Sequence, residues 1–217
     1  MTDRRRPAEV VPGSIGVFGG TFDPIHVGHL AVAEEAAEAA GLERVLFVPA
    51  ARPPHKPGVE FASPEDRLAM VQLAISDNPR FAASRLELDR PGLSYTADTL
   101  AELAGTAERA GVATLSLILS ADAFAGLPTW HDPRRVLSLA RLVVVPRDGH
   151  EDASADLLRA WFPDLPDAAA EGIFLDGPRL RLSASTLRAR AAAGRSLRYL
   201  VPDAVRAHIE DHALYRA

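Results

Sequence analysis

Two histidines three residues apart, His26 and His29, are the chain's most pointed chemical signal. They lie in the stretch Ile15-Gly-Val-Phe-Gly-Gly-Thr-Phe-Asp-Pro-Ile-His-Val-Gly-His29. Residues three apart share a face once the chain turns helical, and the pattern becomes helical from about Val27. The first-turn N–H groups of a helix have no intrahelical acceptor and attract anions. Gly19 and Gly20, just upstream, let backbone approach a ligand closely. Two imidazoles, open amides and a Gly-Gly turn suit a phosphate group. Loop, cap or metal-ligand roles are the alternative for the pair, although no further zinc ligands stand in a legible pattern. The spacing is neither a Walker loop nor the G-x-G-x-x-G fingerprint.

Three other groups could take part. Ser183, Ser185 and Arg188 place two hydroxyls and a guanidinium at a second helix start, again suited to an anion; a plain serine cap is the alternative. His55 and Lys56 lie in a Pro-rich loop, residues 50–62, and Lys56 is the only lysine in a chain that otherwise uses arginine. A compact ammonium there would neutralise charge as a point rather than a fork. Asp122 stands two residues past an apolar run, Thr114–Ser120, at the edge where parallel sheets bind ligands; its alternative is a helix cap.

The elements that must hold these residues alternate. Ile15–Phe18 reads as a buried strand. The next helix repeats Leu30, Ala33, Ala36, Ala37 and Ala40 on one face and stops at Gly41. Arg44–Pro49 is a strand. Ser63-Pro64-Glu65-Asp66 opens a helix to about Ser76, with Leu68, Val71, Leu73 and Ile75 inward. Phe81–Leu88 contains a strand, and Ser94 or Tyr95 begins a helix to about Ala110. Thr114–Ser120, Leu142–Val145 and Ile173–Leu175 are strands. Asp132-Pro133 and Ser154 open helices between them. Two more helices close the chain, the last from Pro202 to about His212, with Val205 and Ile209 inward. Such alternation predicts an α/β fold with a doubly wound parallel sheet and a small C-terminal helical portion. Residues 1–13 are expected to be a flexible tail and 14–217 a single domain.

Composition narrows the function classes. With 217 residues and 47% hydrophobic content, a packed α/β core is expected. The net charge, 24 − 29 = −5, argues against a nucleic-acid surface. The absence of cysteine removes disulfides, a thiol nucleophile and thiolate metal sites. No apolar run reaches the roughly 18–20 residues of a membrane span, and the N-terminus has no secretory h-region. A cytoplasmic location is expected, and homo-oligomerisation is left open.

The stretch Gly19–His29 resembles the G-x-F-x-P-x-H-x-G-H signature of the Rossmann-like HxGH nucleotidyltransferases. Further matches follow in order: His55-Lys56, Tyr95-Thr96-Ala97-Asp98-Thr99-Leu100, Ser120-Ala121-Asp122, Leu127-Pro128-Thr129-Trp130, Leu182-Ser183-Ala184-Ser185-x-x-Arg188, and the ending Tyr199–Tyr215. Together they are similar to bacterial nicotinate-nucleotide adenylyltransferases over about residues 14–215. Two departures are mild: Ser120 replaces the family's usual glycine, and Ser183-Ala184-Ser185 replaces Ser-x-Thr or Ser-Ser-Ser.

The resemblance implies adenylyl transfer from ATP to nicotinate mononucleotide, with Mg²⁺ carried on the ATP phosphates. It implies that Gly19, Gly20, Thr21 and Phe22 line the nucleotide, and that His26, His29, Ser183, Ser185 and Arg188 meet its phosphates. It gives Asp122 a ribose hydroxyl or amide, has His55 and Lys56 neutralise phosphate charge, and turns Tyr95, Thr96, Trp130 and His131 toward the pyridine nucleotide. The alternatives are a pantetheine-phosphate adenylyltransferase, or a non-catalytic nucleotide sensor of the same fold.

Overall fold

A computed structural model describes residues 8–53, 62–110, 114–147, 149, 153–166, 171–176 and 182–216. In chain order the elements are β1 (Val11–Gly20), α1 (Val27–Ala40), β2 (Leu42–Pro49), α2 (Pro64–Ile75), β3 (Phe81–Ala83), α3 (Leu86–Asp89), α4 (Thr96–Ala110), β4 (Thr114–Ser120), α5 (Ala121–Ala125), α6 (Pro133–Leu139), β5 (Arg141–Val145), α7 (Ala155–Trp161), β6 (Ile173–Phe174), α8 (Ala184–Ala192) and α9 (Asp203–Asp211). The strands form one six-stranded parallel sheet in the order β3-β2-β1-β4-β5-β6. The order reverses direction after β1, which is the doubly wound pattern expected from alternating elements. Among the described residues no helix is long and apolar enough to cross a membrane.

The chain divides into two compact units. The first comprises residues up to Phe18, Val32–Val45 and Thr96–Leu180. Its centre is β4, whose Leu115, Leu117, Ile118 and Leu119 are all buried. β4 is flanked by β1, in register Ile15 to Leu115, and by β5, in register Ile118 to Val143. Successive residues are buried, so these strands read as mainly apolar runs, broken by buried Ser14 and Ser116, rather than as alternating ones. β1 starts at Val11, four residues before the expected Ile15. Its early part is held by Val11 N–H to the Gly41 carbonyl at 2.9 Å and by the Ser14 hydroxyl to the carbonyls of Val11 and Gly41. Val10 and Val11 are exposed, so no burial pattern marks this stretch as strand. Gly41 ends α1 with φ +61°, and a Cβ there would collide with the Glu9 carbonyl oxygen.

The second unit comprises Gly19–Ala31, Leu46–Tyr95 and Arg181–Ala217. Ser63 caps α2 by accepting from the Asp66 N–H, with Pro64 at the first helical position, as the spacing predicts. Leu68, Val71 and Ile75 are buried, but Leu73 is 37% exposed. The first three fall at i, i+3 and i+7; Leu73, two positions beyond Val71, points to the opposite face. The strand expected within Phe81–Leu88 stops at Ala83, and Leu86–Asp89 form a helical turn instead. In α9, Val205 and Ile209 are buried as expected.

Candidate active site

The loop between β1 and α1 folds inward. Phe22, Asp23, Ile25 and His26 are buried, Asp23 and Ile25 most completely. Phe22 adopts φ +50°, a left-handed conformation costly for a side chain with a Cβ. Packing holds it there: its ring meets Phe47 at 5.7 Å and the edge of His29 at 5.2 Å, 80° apart. Gly20 accepts from Ala50 N–H at 2.8 Å, joining the ends of β1 and β2.

His26 and His29 stack, ring centroids 3.7 Å apart and 19° from parallel. Each backbone N–H points at the other's ring: His29 N–H to His26 Nδ1 at 3.3 Å, and His26 N–H to His29 Nδ1 at 3.2 Å. A neutral imidazole that accepts at Nδ1 carries its proton on Nε2. Both rings are thereby set as Nε2–H donors, pre-aligned at the start of the 14-residue α1. His26 is 3% exposed and forms the floor; half-buried His29 lies over it. Gly28 makes room, since a Cβ would stand 3.0 Å from His26 Nδ1.

Arg188, in α8, reaches this loop. Its Nη1 donates to the Asp23 carbonyl at 2.8 Å and lies 3.4 Å from Asp23 Oδ2. Asp23 Oδ1 accepts from Ala62 N–H at 3.1 Å and from the Tyr215 hydroxyl at 2.7 Å. Burial first, then the Asp23 charge, push the Tyr215 phenol far up, so it stays protonated and donates. The orientation of Arg188 is therefore set by a buried carboxylate that is itself held from two other parts of the chain.

A second buried cation underlies the same loop. Arg67 is 1% exposed and donates to the carbonyls of Thr21 at 2.9 Å, Ala50 at 2.6 Å, Ala51 at 3.4 Å and Ala62 at 3.1 Å. Desolvation lowers its pKa, while the charges of Asp23 and Glu87 offset part of that cost. Sequence reading missed Asp23, Arg67 and Tyr215. The available signals were an arginine amid the apolar face of α2 and an aspartate inside the motif.

The other expected residues are distributed as follows. Gly19 to Phe22, Tyr95, Ser183, Ser185 and Arg188 belong to the second unit, with the histidine pair. Ser183 caps α8, accepting from Thr186 N–H at 3.3 Å, and its oxygen is 3.1 Å from the Ser185 hydroxyl. The plain-cap alternative thus describes Ser183's own hydroxyl, whereas Ser185 is exposed. Thr96, Asp122, Trp130 and His131 belong to the first unit. Thr96 opens α4. Asp122 sits in the first turn of α5, is not its cap, and pairs with Arg147 at 3.6 Å. Trp130 follows a single 3-10 turn, Leu127–Thr129, and its indole nitrogen lies against Gly126. His55 and Lys56 lie outside the described residues.

Comparisons with known proteins give the family and the fold. The cytidylyltransferase-like family matches residues 17–190. A Roseiflexus sp. (strain RS-1) protein named probable nicotinate-nucleotide adenylyltransferase is 52% identical over 204 residues, covering 93% of this chain and 98% of the relative. A Thermus thermophilus protein of the same name is 46% identical over 202 residues, covering 93% and 99%. The fold matches Plasmodium falciparum nicotinic acid mononucleotide adenylyltransferase, solved in complex with NaAD, with a TM-score of 0.74 at 16% identity over 93% of this chain and 97% of that one. The chain belongs to the cytidylyltransferase-like nucleotidyltransferases and, within them, to the nicotinate-nucleotide adenylyltransferase family.

Proposed function

We propose that the protein transfers the adenylyl group of ATP to nicotinate mononucleotide, giving nicotinate adenine dinucleotide and pyrophosphate, as a step of NAD biosynthesis. The observation that carries this reading is the stacked His26–His29 pair, fixed as Nε2–H donors at the start of α1. The mononucleotide's phosphate oxygen attacks the α-phosphorus in line. A new P–O bond forms, the α–β bridging bond breaks, and pyrophosphate leaves with the electron pair. The attacking oxygen is already ionised, so no strong general base is needed, and catalysis reduces to positioning and charge stabilisation.

His26 and His29 donate to the phosphates, His29 nearest the reacting centre. Ser183, Ser185 and Arg188 hold the β- and γ-phosphates, and Gly19 to Phe22 offer backbone to the nucleotide. Imidazole N–H, amide and guanidinium groups are donors and suit phosphate oxygens; Mg²⁺ enters on the triphosphate as part of the substrate. His55 and Lys56 neutralise phosphate charge, and Asp122 takes a ribose hydroxyl or amide. Tyr95, Thr96, Trp130 and His131 serve the pyridine nucleotide, with Trp130 stacking on the ring.

The discriminating experiment is pyrophosphate release from ATP with nicotinate mononucleotide, its nicotinamide form and 4′-phosphopantetheine in parallel. Turnover should be fastest with the acid, and its kcat/KM should exceed that of the amide by well over tenfold. Backbone N–H donors near Thr96 and His131 that match a carboxylate meet the amide's own NH₂, a mismatch of roughly 1–3 kcal/mol per buried group. Preference for 4′-phosphopantetheine, or no turnover with any acceptor, would overturn the reading.

Arg188→Lys tests the phosphate grip. One ammonium cannot both keep the Asp23 contact and span two phosphate oxygens. The apparent constant for ATP should rise while that for the pyridine nucleotide changes little; equal damage to both would place Arg188's action elsewhere.

A further inference from the structure

A separate group of donors lies where α9 meets α2. His208 and His212 are four residues apart, His212 as the C-terminal cap of α9, and their rings stack with centroids 4.0 Å apart. Asp66, in the first turn of α2, places Oδ1 3.2 Å from His208 Nε2. One donor atom from each of the three residues lies within 4.8 Å of the others. Two imidazoles at helical i, i+4 spacing with a carboxylate form a donor set for borderline divalent metals. Tetrahedral ligands at about 2.0–2.2 Å from zinc are roughly 3.3 Å apart, so the Asp66–His208 pair already stands at a ligand–ligand separation.

Two outer contacts prepare the donors. The His212 ring bonds through Nδ1 to the His208 carbonyl at 3.0 Å. A carbonyl only accepts, so Nδ1 carries the proton and Nε2 keeps its lone pair. The Ser63 hydroxyl donates to Asp66 Oδ2 at 2.6 Å, leaving Oδ1 toward the histidines. Bonds of this kind fix ring tautomer and carboxylate orientation around bound metals. Asp66 is 142 residues from His208 in the chain, so only the fold brings the set together.

We propose that Asp66, His208 and His212 form a site for a divalent transition-metal ion, zinc foremost, which clamps α9 onto α2. Three protein donors leave a further position for water. The site does not depend on the adenylyl-transfer reading, because its donors are distinct from the histidine pair and none has a substrate role in that reading.

The test uses full-length, untagged protein stripped with a chelator. Zn²⁺ is titrated against a chromophoric chelator, Co²⁺ is followed by its visible absorption, and melting is recorded with and without Zn²⁺. Wild type should bind one equivalent and melt higher with the ion. His212→Ala changes an exposed ring and should fold normally. That variant and Asp66→Asn should each bind at least roughly tenfold more weakly, since losing even an outer-shell partner costs about 10–100-fold. His29→Ala should leave this binding unchanged. Affinity unaffected by His212→Ala and Asp66→Asn, or abolished by His29→Ala, would overturn the proposal, as would no binding by wild type.

Discussion

His29→Ala should fold normally and lose about 10²–10³ in turnover, the usual cost of removing one preorganised donor to developing charge. His29 is half-buried, so its loss opens no deep cavity, and the melting temperature should change little. The ring also does two structural things: it stacks on His26 and accepts the His26 N–H at Nδ1. His29→Asn separates the effects. A short amide at the helix start can accept from that N–H but supplies no Nε2–H. If donation to phosphate is the ring's role, Asn should be nearly as damaging to kcat as Ala. If the ring mainly holds the loop, Asn should recover most of the activity. Turnover near wild type in both variants would remove His29 from the chemistry.

The largest effect on stability is expected from Arg67→Met. Among the described residues Arg67 is the bulkiest of the fully buried side chains, and its guanidinium serves the carbonyls of Thr21, Ala50, Ala51 and Ala62. Methionine fills much of the space but bonds none of them. Each orphaned buried acceptor costs about 1–3 kcal/mol, and water entering the gap recovers part. A net loss on the order of 3–5 kcal/mol follows, similar to removing one partner of a buried ion pair. In urea the midpoint should fall sharply with little change in slope. Arg67→Lys, which keeps the charge but reaches fewer carbonyls, should fall between. A loss below about 1 kcal/mol would show that the four carbonyls find other donors. Because Thr21 belongs to the loop that leads into the histidine pair, the surviving fraction of Arg67→Met should also need more ATP for half-maximal rate.

Much of this protein is written locally, and those parts can be read without a structure. Ser63, Asp132, Ser154 and Ser183 are helix caps whose signal is complete within four residues, and all four cap as their spacing suggests. The buried strands are equally plain, since β4 and β5 are predominantly apolar runs buried along most of their length. The legible part of the site is the histidine motif, with His26, Gly28 and His29, and Arg188 at the second helix start. Arg67, Asp23 and Tyr215 are not legible because each is polar and exposed by default, and the partners that justify burying it include ones 46 to 192 positions away. Leu73 and residues 86–89 depart from expectation for a different reason. Apolar identity alone does not give the phase of a helix, and the chain after β3 turns where Leu86 N–H bonds to the Ser84 hydroxyl and Asp89 N–H to the Arg85 carbonyl.

The bond from the Tyr215 hydroxyl to Asp23 joins residues 192 positions apart. Closing so long a loop adds little entropy beyond a shorter one, because the cost grows only with the logarithm of length. It does impose a schedule. A ribosome adding about 5–20 residues per second needs roughly ten to forty seconds between making Asp23 and making Tyr215. Throughout that interval the nascent loop carries a carboxylate meant for burial without the hydroxyl that satisfies it, and for most of that time without Arg188 as well. The loop between β1 and α1 is therefore made long before the residue that completes it, and it reaches its final form only once Tyr215 has docked on Asp23.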